Sequence, residues 1–133
     1  MGIIRLWRYI HRDDIIILLI HGVMEERDDT AWTPLRPHMA LRRLEECLCI
    51  LSRHYHFVSF EDAVGMVTGR KKGRPYSLAI TFDDGYRNHV TCALPILRRY
   101  GAPAAFFVAS GHVESQKPYW FDRLDYVLQQ SSV

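Results

Sequence analysis

The sequence predicts an α/β protein with a largely parallel sheet. Short apolar runs alternate with longer segments of helical periodicity, and neither internal repeats nor low-complexity tracts interrupt this order. Such alternation of strands and helices favours a parallel sheet with helices packed against it. Only four strands are predicted, and four strands do not close a barrel. The chain is therefore expected to form either a small open sheet or the first half of a larger fold.

The first strand and the first long helix are predicted between residues 15 and 54. Ile15–Ile20 is continuous, apolar and rich in β-branched residues, and it stops at His21-Gly22. This pattern favours a strand buried on both faces, with one turn of a buried helix as the alternative. After a polar, proline-containing stretch up to Pro37, leucines recur at steps of three and four residues, which predicts an amphipathic helix over Pro37–His54.

A second strand, a short helix and a third strand follow. Phe57–Ser59 is predicted as a strand, and Ser59 with Asp62 resembles a capping signal for a helix that continues to Val67 and is ended by Gly69. After a loop, Ser77–Phe82 is predicted as the third strand because it is apolar and bounded by turn-forming residues.

The remaining elements are predicted from the same signals. A helix over Ala93–Tyr100 is closed by Gly101, and a strand rich in Phe and Ala covers Ala104–Val108. A loop over Ala109–Pro118 leads to a final helix over Tyr119–Gln130. The side chains of this helix that are expected to point inward are Leu124, Val127 and Leu128.

Composition indicates one globular domain. With 133 residues, of which 48% are hydrophobic, the chain is long enough to bury one core, expected over residues 15–133 after an N-terminal extension over residues 1–14. The net charge of +2 is too small to indicate nucleic acid or an anionic membrane as a partner. The longest purely apolar run, Ile15–Ile20, is far below the roughly 18 residues of a membrane span.

The predicted location is the cytoplasm. Asp13 and Asp14 interrupt the N-terminal region where a signal peptide would be most apolar. The three cysteines, Cys47, Cys49 and Cys92, form no C-x-x-C pair, so a disulfide framework is not expected.

The segment most informative about chemistry is Thr81–Gly85, with the sequence TFDDG. It places Asp83 and Asp84 at the carboxyl end of a predicted buried strand, which is where α/β proteins bind their ligands. Two adjacent carboxylates raise each other's pKa unless a cation compensates, so a bound divalent metal is the simplest explanation. The alternative is a purely structural turn, because Asp and Gly also form turns and helix caps.

Residues 78–86 (LAITFDDGY) and 93–108 (ALPILRRYGAPAAFFV) resemble the first catalytic motif and the following unit of the polysaccharide deacetylase, or NodB-homology, family. Residues 17–23 resemble the first strand of that family with its terminal histidine, and residues 119–125 resemble the region after the fourth strand. The resemblance thus covers most of the chain from about Ile15 onward.

This resemblance implies a partial (β/α) barrel and a hydrolase that removes N-acetyl, or less often O-acetyl, groups from a polysaccharide or amino sugar. It also implies a divalent metal, zinc above all, as cofactor. By the same resemblance Asp83 is the general base and Asp84 is a metal ligand. His21, Gly85, Tyr86 and His112 are expected to line the pocket at the same edge of the sheet. For His21 a structural histidine satisfied by a loop is an equal alternative, and for His112 a metal ligand is the minor alternative.

One feature departs from the family pattern. Members supply two more metal ligands from an H-[ST]-x-x-H motif, and no two histidines of this chain are four residues apart. The later segments that carry an arginine and a histidine of the site are also missing. A truncated domain is therefore expected. The open alternatives are an inactive remnant that binds sugar or self-associates, for example as a homo-oligomer that completes the barrel, and a piece of a longer protein.

The other candidate residues have ordinary structural interpretations. His89 is expected to begin a helix, and His38, His54 and His56 are expected to be surface or packing residues. The basic run Arg70–Arg74 is read as a solvated connection, with attraction of phosphate or acidic polysaccharide as the alternative. The aromatic residues 119–121 are read as core, with sugar stacking as the alternative.

Overall fold

The computed structural model describes residues 2–25 and 38–131, which form an α/β fold around a parallel sheet. In chain order the elements are α1 (Gly2–Ile10), β1 (Ile15–Ile20), β2 (Val23–Met24), β3 (Met39–Ala40), α2 (Leu41–Ser52), β4 (His56–Phe57), α3 (Phe60–Val67), β5 (Ser77–Phe82), a π-helical turn (His89–Ala93), α4 (Leu94–Arg99), β6 (Ala104–Phe106), α5 (Ser110–Ser115) and α6 (Trp120–Gln130).

Strand β5 is the centre of the main sheet. On one side it pairs in parallel with β1 along its whole length, from Ser77 opposite Ile15 to Phe82 opposite Ile20. It also pairs in parallel with β4 through its first two residues and with β6 through its last three. Among the described strands β1 pairs only with β5, so the sheet is open there. Strands β2 and β3 form a separate parallel pair.

The core lies mainly on one face of this sheet. Alternate side chains of β5 point to opposite faces, and Leu78, Ile80 and Phe82 belong to a buried cluster that includes Leu44 and Leu48 of α2. Helix α4 contributes to the same cluster. On the other face Ala79 lies in a smaller cluster with residues of α3.

Several predicted elements are confirmed. The bounds of β1 and β5 are those predicted, and helices lie within or close to the four predicted helical segments. The Ser59 cap of α3 is also confirmed, since the Ser59 side chain accepts a hydrogen bond from the Asp62 amide at 3.0 Å. Gly69 follows with φ of 73°, the left-handed conformation expected where a glycine ends a helix.

The predicted burial of two elements is wrong. β1 is not buried on both faces, because Ile17 and Leu19 are 53% and 50% exposed. In α6 the three side chains predicted to point inward are all more than half exposed, and Asp125 is the buried residue. Trp120 of this helix, predicted as core together with its aromatic neighbours, is 73% exposed. The reason is the same in both cases. An apolar pattern shows which face an element can bury, but not whether a neighbouring element is there to cover it.

Other differences concern short elements. The predicted loop over Ala109–Pro118 contains α5, and the predicted N-terminal extension contains α1. The strand predicted over Phe57–Ser59 is β4, which is shorter and begins one residue earlier, while β6 ends two residues before Val108. Most of the polar stretch before Pro37, and Pro37 as a helix start, lie outside the described residues.

The helices in the described ranges are too short or too polar for any one of them to cross a bilayer.

Candidate active site

The carboxyl end of β5 is held by its neighbours on both sides. The Asp83 amide donates a hydrogen bond to the Ile20 carbonyl at the end of β1, at 3.0 Å. The Phe107 amide, just after β6, donates to the Phe82 carbonyl at 2.7 Å. Because three parallel strands end together here, the turn that follows Phe82 lies at the edge where open α/β sheets bind ligands.

The turn itself has an unusual backbone. Asp84 and Gly85 both adopt the left-handed conformation, with φ of 73° and 69°. Aspartate tolerates this conformation better than most residues that carry a Cβ, and glycine adopts it without strain. A Cβ on Gly85 would also lie 2.8 Å from Val108 Cγ1. Glycine is therefore required at position 85 both by its backbone angle and by the closeness of Val108.

Tyr119 fixes the turn from the side of α6. Its hydroxyl donates a hydrogen bond to the Asp84 carbonyl oxygen at 2.6 Å. Burial raises the pKa of Tyr119, and the nearby carboxylates of Asp84 and Asp122 raise it further, so the hydroxyl stays protonated as a donor. Tyr86 makes a second link, because its hydroxyl donates to the Asp122 carboxylate at 3.2 Å. The turn is thus attached to the start of α6 through two tyrosines.

His89 lies beside the turn and is more deeply buried than the sequence predicted. It does begin the π-helical turn, as predicted, but it is only 1% exposed and packs against the rings of Phe82, Tyr86 and Phe106. Its position four residues before Ala93, on the buried face of the following helix, is the signal that predicts burial.

The protonation of His89 follows from its contacts. Its Nε2 hydrogen-bonds to the His21 carbonyl, and a carbonyl only accepts, so Nε2 carries the proton. Nδ1 is buried without a hydrogen-bond partner among the described residues. Burial lowers the pKa of His89, against the opposing effects of the His21 carbonyl and the carboxylates of Asp84 and Asp83. His89 is therefore a neutral side chain that ties the end of β1 to the segment after the turn.

Of the two histidines predicted near the carboxylates, His21 borders the turn and His112 contacts it through Tyr119. His21 follows directly after Ile20, whose carbonyl binds the Asp83 amide, so it borders the turn. His112, in α5, stacks on the ring of Tyr119 with centroids 3.7 Å apart, and its Nδ1 donates to the Lys117 carbonyl at 3.0 Å. His112 therefore reaches the turn through Tyr119.

The described residues do not complete a metal site. Asp83 and Asp84 supply carboxylate oxygens suited to a divalent cation, but catalytic zinc sites use three protein ligands. Within residues 2–25 and 38–131, no group of three or more His, Cys, Asp or Glu side chains is placed to hold a metal ion. A complete site would need ligands from outside these ranges.

A cavity of about 900 Å³ opens beside the turn. Tyr86 lies in its wall together with Asp122, Arg123 and Tyr126 of α6 and with residues from β2 and the π-helical turn. Of the residues predicted to line a pocket, Tyr86 lines this cavity, whereas His21, Gly85 and His112 lie outside its wall, as do Asp83 and Asp84. The cavity therefore adjoins the carboxylate turn without containing it.

The chain is thus an α/β protein with an open parallel sheet and a carboxylate pair at the end of the central strand. The family model described as polysaccharide deacetylase matches residues 70–127, a segment that contains β5, the turn and the start of α6. Comparison with curated protein sequences gives no significant match.

Three solved structures are similar to this chain. A de-N-acetylase from Aggregatibacter actinomycetemcomitans has a TM-score of 0.68 and 21% identity, over 80% of this chain and 43% of its own. IcaB from Ammonifex degensii has a TM-score of 0.65 and 26% identity, over 75% of this chain and 40% of its own. The deacetylase PplD from Streptococcus pyogenes, in complex with acetate, has a TM-score of 0.64 and 22% identity, over 76% of this chain and 45% of its own.

These comparisons confirm the resemblance found in the sequence. The chain is similar to the N-terminal part of the polysaccharide deacetylase domain, and its fold is an incomplete (β/α) barrel of that type. It spans less than half the length of each of the three structures.

Proposed function

We propose that this protein hydrolyses acetyl groups, N-linked or less often O-linked, on an acetylated carbohydrate. The observation that carries the proposal is the Asp83–Asp84 turn at the end of the central strand, held by β1, by the chain after β6 and by Tyr119. The match of residues 70–127 to the polysaccharide deacetylase family supports it, because the turn lies inside that segment. Left-handed backbone at an aspartate supports it further, since such strain concentrates at functional sites.

In this proposal the two carboxylates have different roles. Asp83 is the general base, which accepts a proton from the water that attacks the acetyl carbonyl. Asp84 is a ligand of a divalent metal, zinc above all. The remaining ligands come from outside the described residues, because those residues do not assemble three ligands.

The cavity beside the turn supports a carbohydrate as the substrate. Its wall combines two tyrosine rings, Tyr86 and Tyr126, with charged side chains of both signs, Asp122 and Arg123. Aromatic faces pack on the apolar faces of sugars, and charged groups bind their hydroxyls. A substrate that enters this cavity lies next to the turn, because Tyr86 follows Gly85 directly in the sequence.

The proposal also covers the residues that belong to the domain and the cellular compartment of the protein. Residues 15–133 are assigned to the N-terminal portion of the deacetylase domain and residues 1–14 to an extension. All three cysteines are free, which supports a reducing compartment, the cytoplasm.

A second candidate is an inactive remnant that binds sugar or self-associates. Two observations favour it: the lack of three metal ligands among residues 2–25 and 38–131, and the exposed apolar side chains of Ile17 and Leu19 on the open strand β1. Unpaired strands with exposed apolar residues tend to pair with another chain. Sedimentation analysis and an acetate-release assay together distinguish the candidates. A remnant that completes its sheet with a second copy is a dimer that releases no acetate.

The test of the proposed function is acetate release from N-acetylglucosamine oligomers with zinc present. The protein is expected to release acetate, and Asp83→Asn is expected to lower the rate at least about 100-fold, because general base catalysis contributes that much. Asp13→Asn, at an exposed carboxylate, is the matched control and should leave the rate unchanged. The proposal is wrong if the protein releases no acetate or if Asp83→Asn releases it at the unchanged rate.

A further inference from the structure

Helix α1 is attached to the domain by its charged side and not by its apolar side. Arg8 is half-buried, whereas the other residues of α1 are exposed. Its guanidinium lies over the rings of Tyr55 and Tyr76, at 5.5 and 5.2 Å from their centroids, and Nη2 donates to the His54 carbonyl at 2.9 Å. A helix of a globular domain normally turns its apolar face to the core, so the orientation of α1 is reversed.

The apolar side of α1 consequently faces solvent. Successive residues of a helix are rotated by about 100°, which places Ile3, Leu6, Trp7 and Ile10 within an arc of about 100° and Arg5 and Arg8 on the opposite side. The four apolar side chains are 86%, 60%, 52% and 65% exposed. The helix thus has a continuous apolar stripe that no described residue covers.

The end of the sheet that carries α1 is basic. The Tyr76 amide, just before β5, donates to the Arg12 carbonyl, so α1 lies at the end of the sheet opposite the Asp83–Asp84 turn. The basic connection Arg70–Arg74 enters β5 at this same end. Residues 2–14 and 53–76 contain eight basic and four acidic side chains, a net charge of +4, whereas the whole chain carries +2. The small total charge, from which no membrane partner could be predicted, conceals this concentration.

We propose that this end of the protein binds the surface of an anionic lipid bilayer, with the apolar stripe of α1 inserted among the headgroups. Interfacial helices combine an apolar face that carries Trp and aliphatic residues with basic residues that attract anionic lipid. A second copy of the chain fits less well, because a nine-residue helix is only about 14 Å long and offers far less than the roughly 800 Å² per partner of a stable interface. The carboxylate turn then faces away from the bilayer.

The test is co-sedimentation of the whole protein with vesicles of phosphatidylglycerol and phosphatidylcholine, compared with vesicles of phosphatidylcholine alone. The protein is expected to sediment with the anionic vesicles and to be released by high salt. The double substitution Ile3→Gln and Ile10→Gln should weaken binding at least about ten-fold through lost apolar contact, and Arg5→Gln about five-fold through lost charge.

The matched control is Ile50→Gln, which changes an isoleucine of α2 that is 58% exposed and lies outside α1. All these positions are exposed, so unfolding transitions should stay unchanged. The proposal is overturned if the protein ignores anionic vesicles or binds neutral ones equally well. It is also overturned if the double substitution leaves vesicle binding intact, or if it only separates a dimer of the chain.

Discussion

At the scale of single residues, the carboxylate turn depends on backbone conformations that few residues adopt. Gly85 has a left-handed φ, which glycine adopts without strain. The sequence could not show that Asp84 shares this conformation, because aspartate enters turns in several ways. Nor could it show that Tyr119 holds the Asp84 carbonyl, since that hydrogen bond joins residues 35 positions apart.

Gly85→Ala is expected to destabilise the fold more than Gly101→Ala. Both glycines have positive φ, so both substitutions cost about 1–2 kcal/mol through the left-handed backbone. Only at Gly85 does the new Cβ also meet Val108, whereas nothing lies within 4 Å of a Cβ on Gly101. Urea unfolding of the two variants measures the difference, and equal losses of unfolding free energy would show that Val108 yields without cost.

Burial of His89 is expected to make the protein less stable at acidic pH. Because burial lowers its pKa in the folded state, the unfolded chain binds a proton more readily. The contribution of His89 is therefore present above the ordinary histidine pKa, and stability is lost as pH falls through that value. Unfolding free energies at about pH 7.5 and about pH 5.5 should differ less in His89→Gln than in the parent protein.

The control for this prediction is His56→Gln, which changes an exposed histidine of β4. It should keep the acid sensitivity of the parent protein. If His89→Gln keeps it as well, His89 is not the group responsible.

At the scale of elements, local signals predicted where helices and strands form but not what covers them. The capping pair Ser59 and Asp62 predicted the start of α3, and the apolar runs predicted β1 and β5 to the residue. The exposed apolar residues of α6 and β1 were predicted as buried, since a sequence pattern does not show whether a partner element is present. The docking of α1 through Arg8 could not be predicted, because it reverses the usual relation of pattern to burial.

Removal of the α3 cap by Ser59→Ala is expected to lower the unfolding free energy by about 0.5–2 kcal/mol, because the Asp62 amide loses its acceptor. Ser52→Ala is the control, since Ser52 is exposed and donates to a carbonyl at the end of α2. Its effect should stay within about 0.5 kcal/mol. Equal effects in chemical denaturation would mean that the Ser59 cap does not stabilise α3.

At the scale of the whole molecule, the chain forms part of a barrel whose two ends differ in chemistry. One end carries the Asp83–Asp84 turn and the adjoining cavity, and the other carries the apolar stripe of α1 and the basic connection before β5. The resemblance to polysaccharide deacetylases and the adjacent carboxylates were recognisable from a contiguous motif. The linkage of His89 to the His21 carbonyl was not, because it joins residues 68 positions apart that meet only when β1 and β5 pair.

Zinc-binding calorimetry on the protein and on Asp84→Asn shows whether the carboxylate turn holds a metal ion. Asparagine tolerates the left-handed backbone at position 84, so the substitution removes the charge without straining the turn. If the turn is part of a metal-dependent site, the protein binds zinc and the variant binds it at least about ten-fold more weakly, since even outer-shell changes cost that much. Asp122→Asn, at a nearby carboxylate, should keep the affinity. Absence of zinc binding, or equal affinity of the protein and Asp84→Asn, would mean that the turn is not part of a metal site.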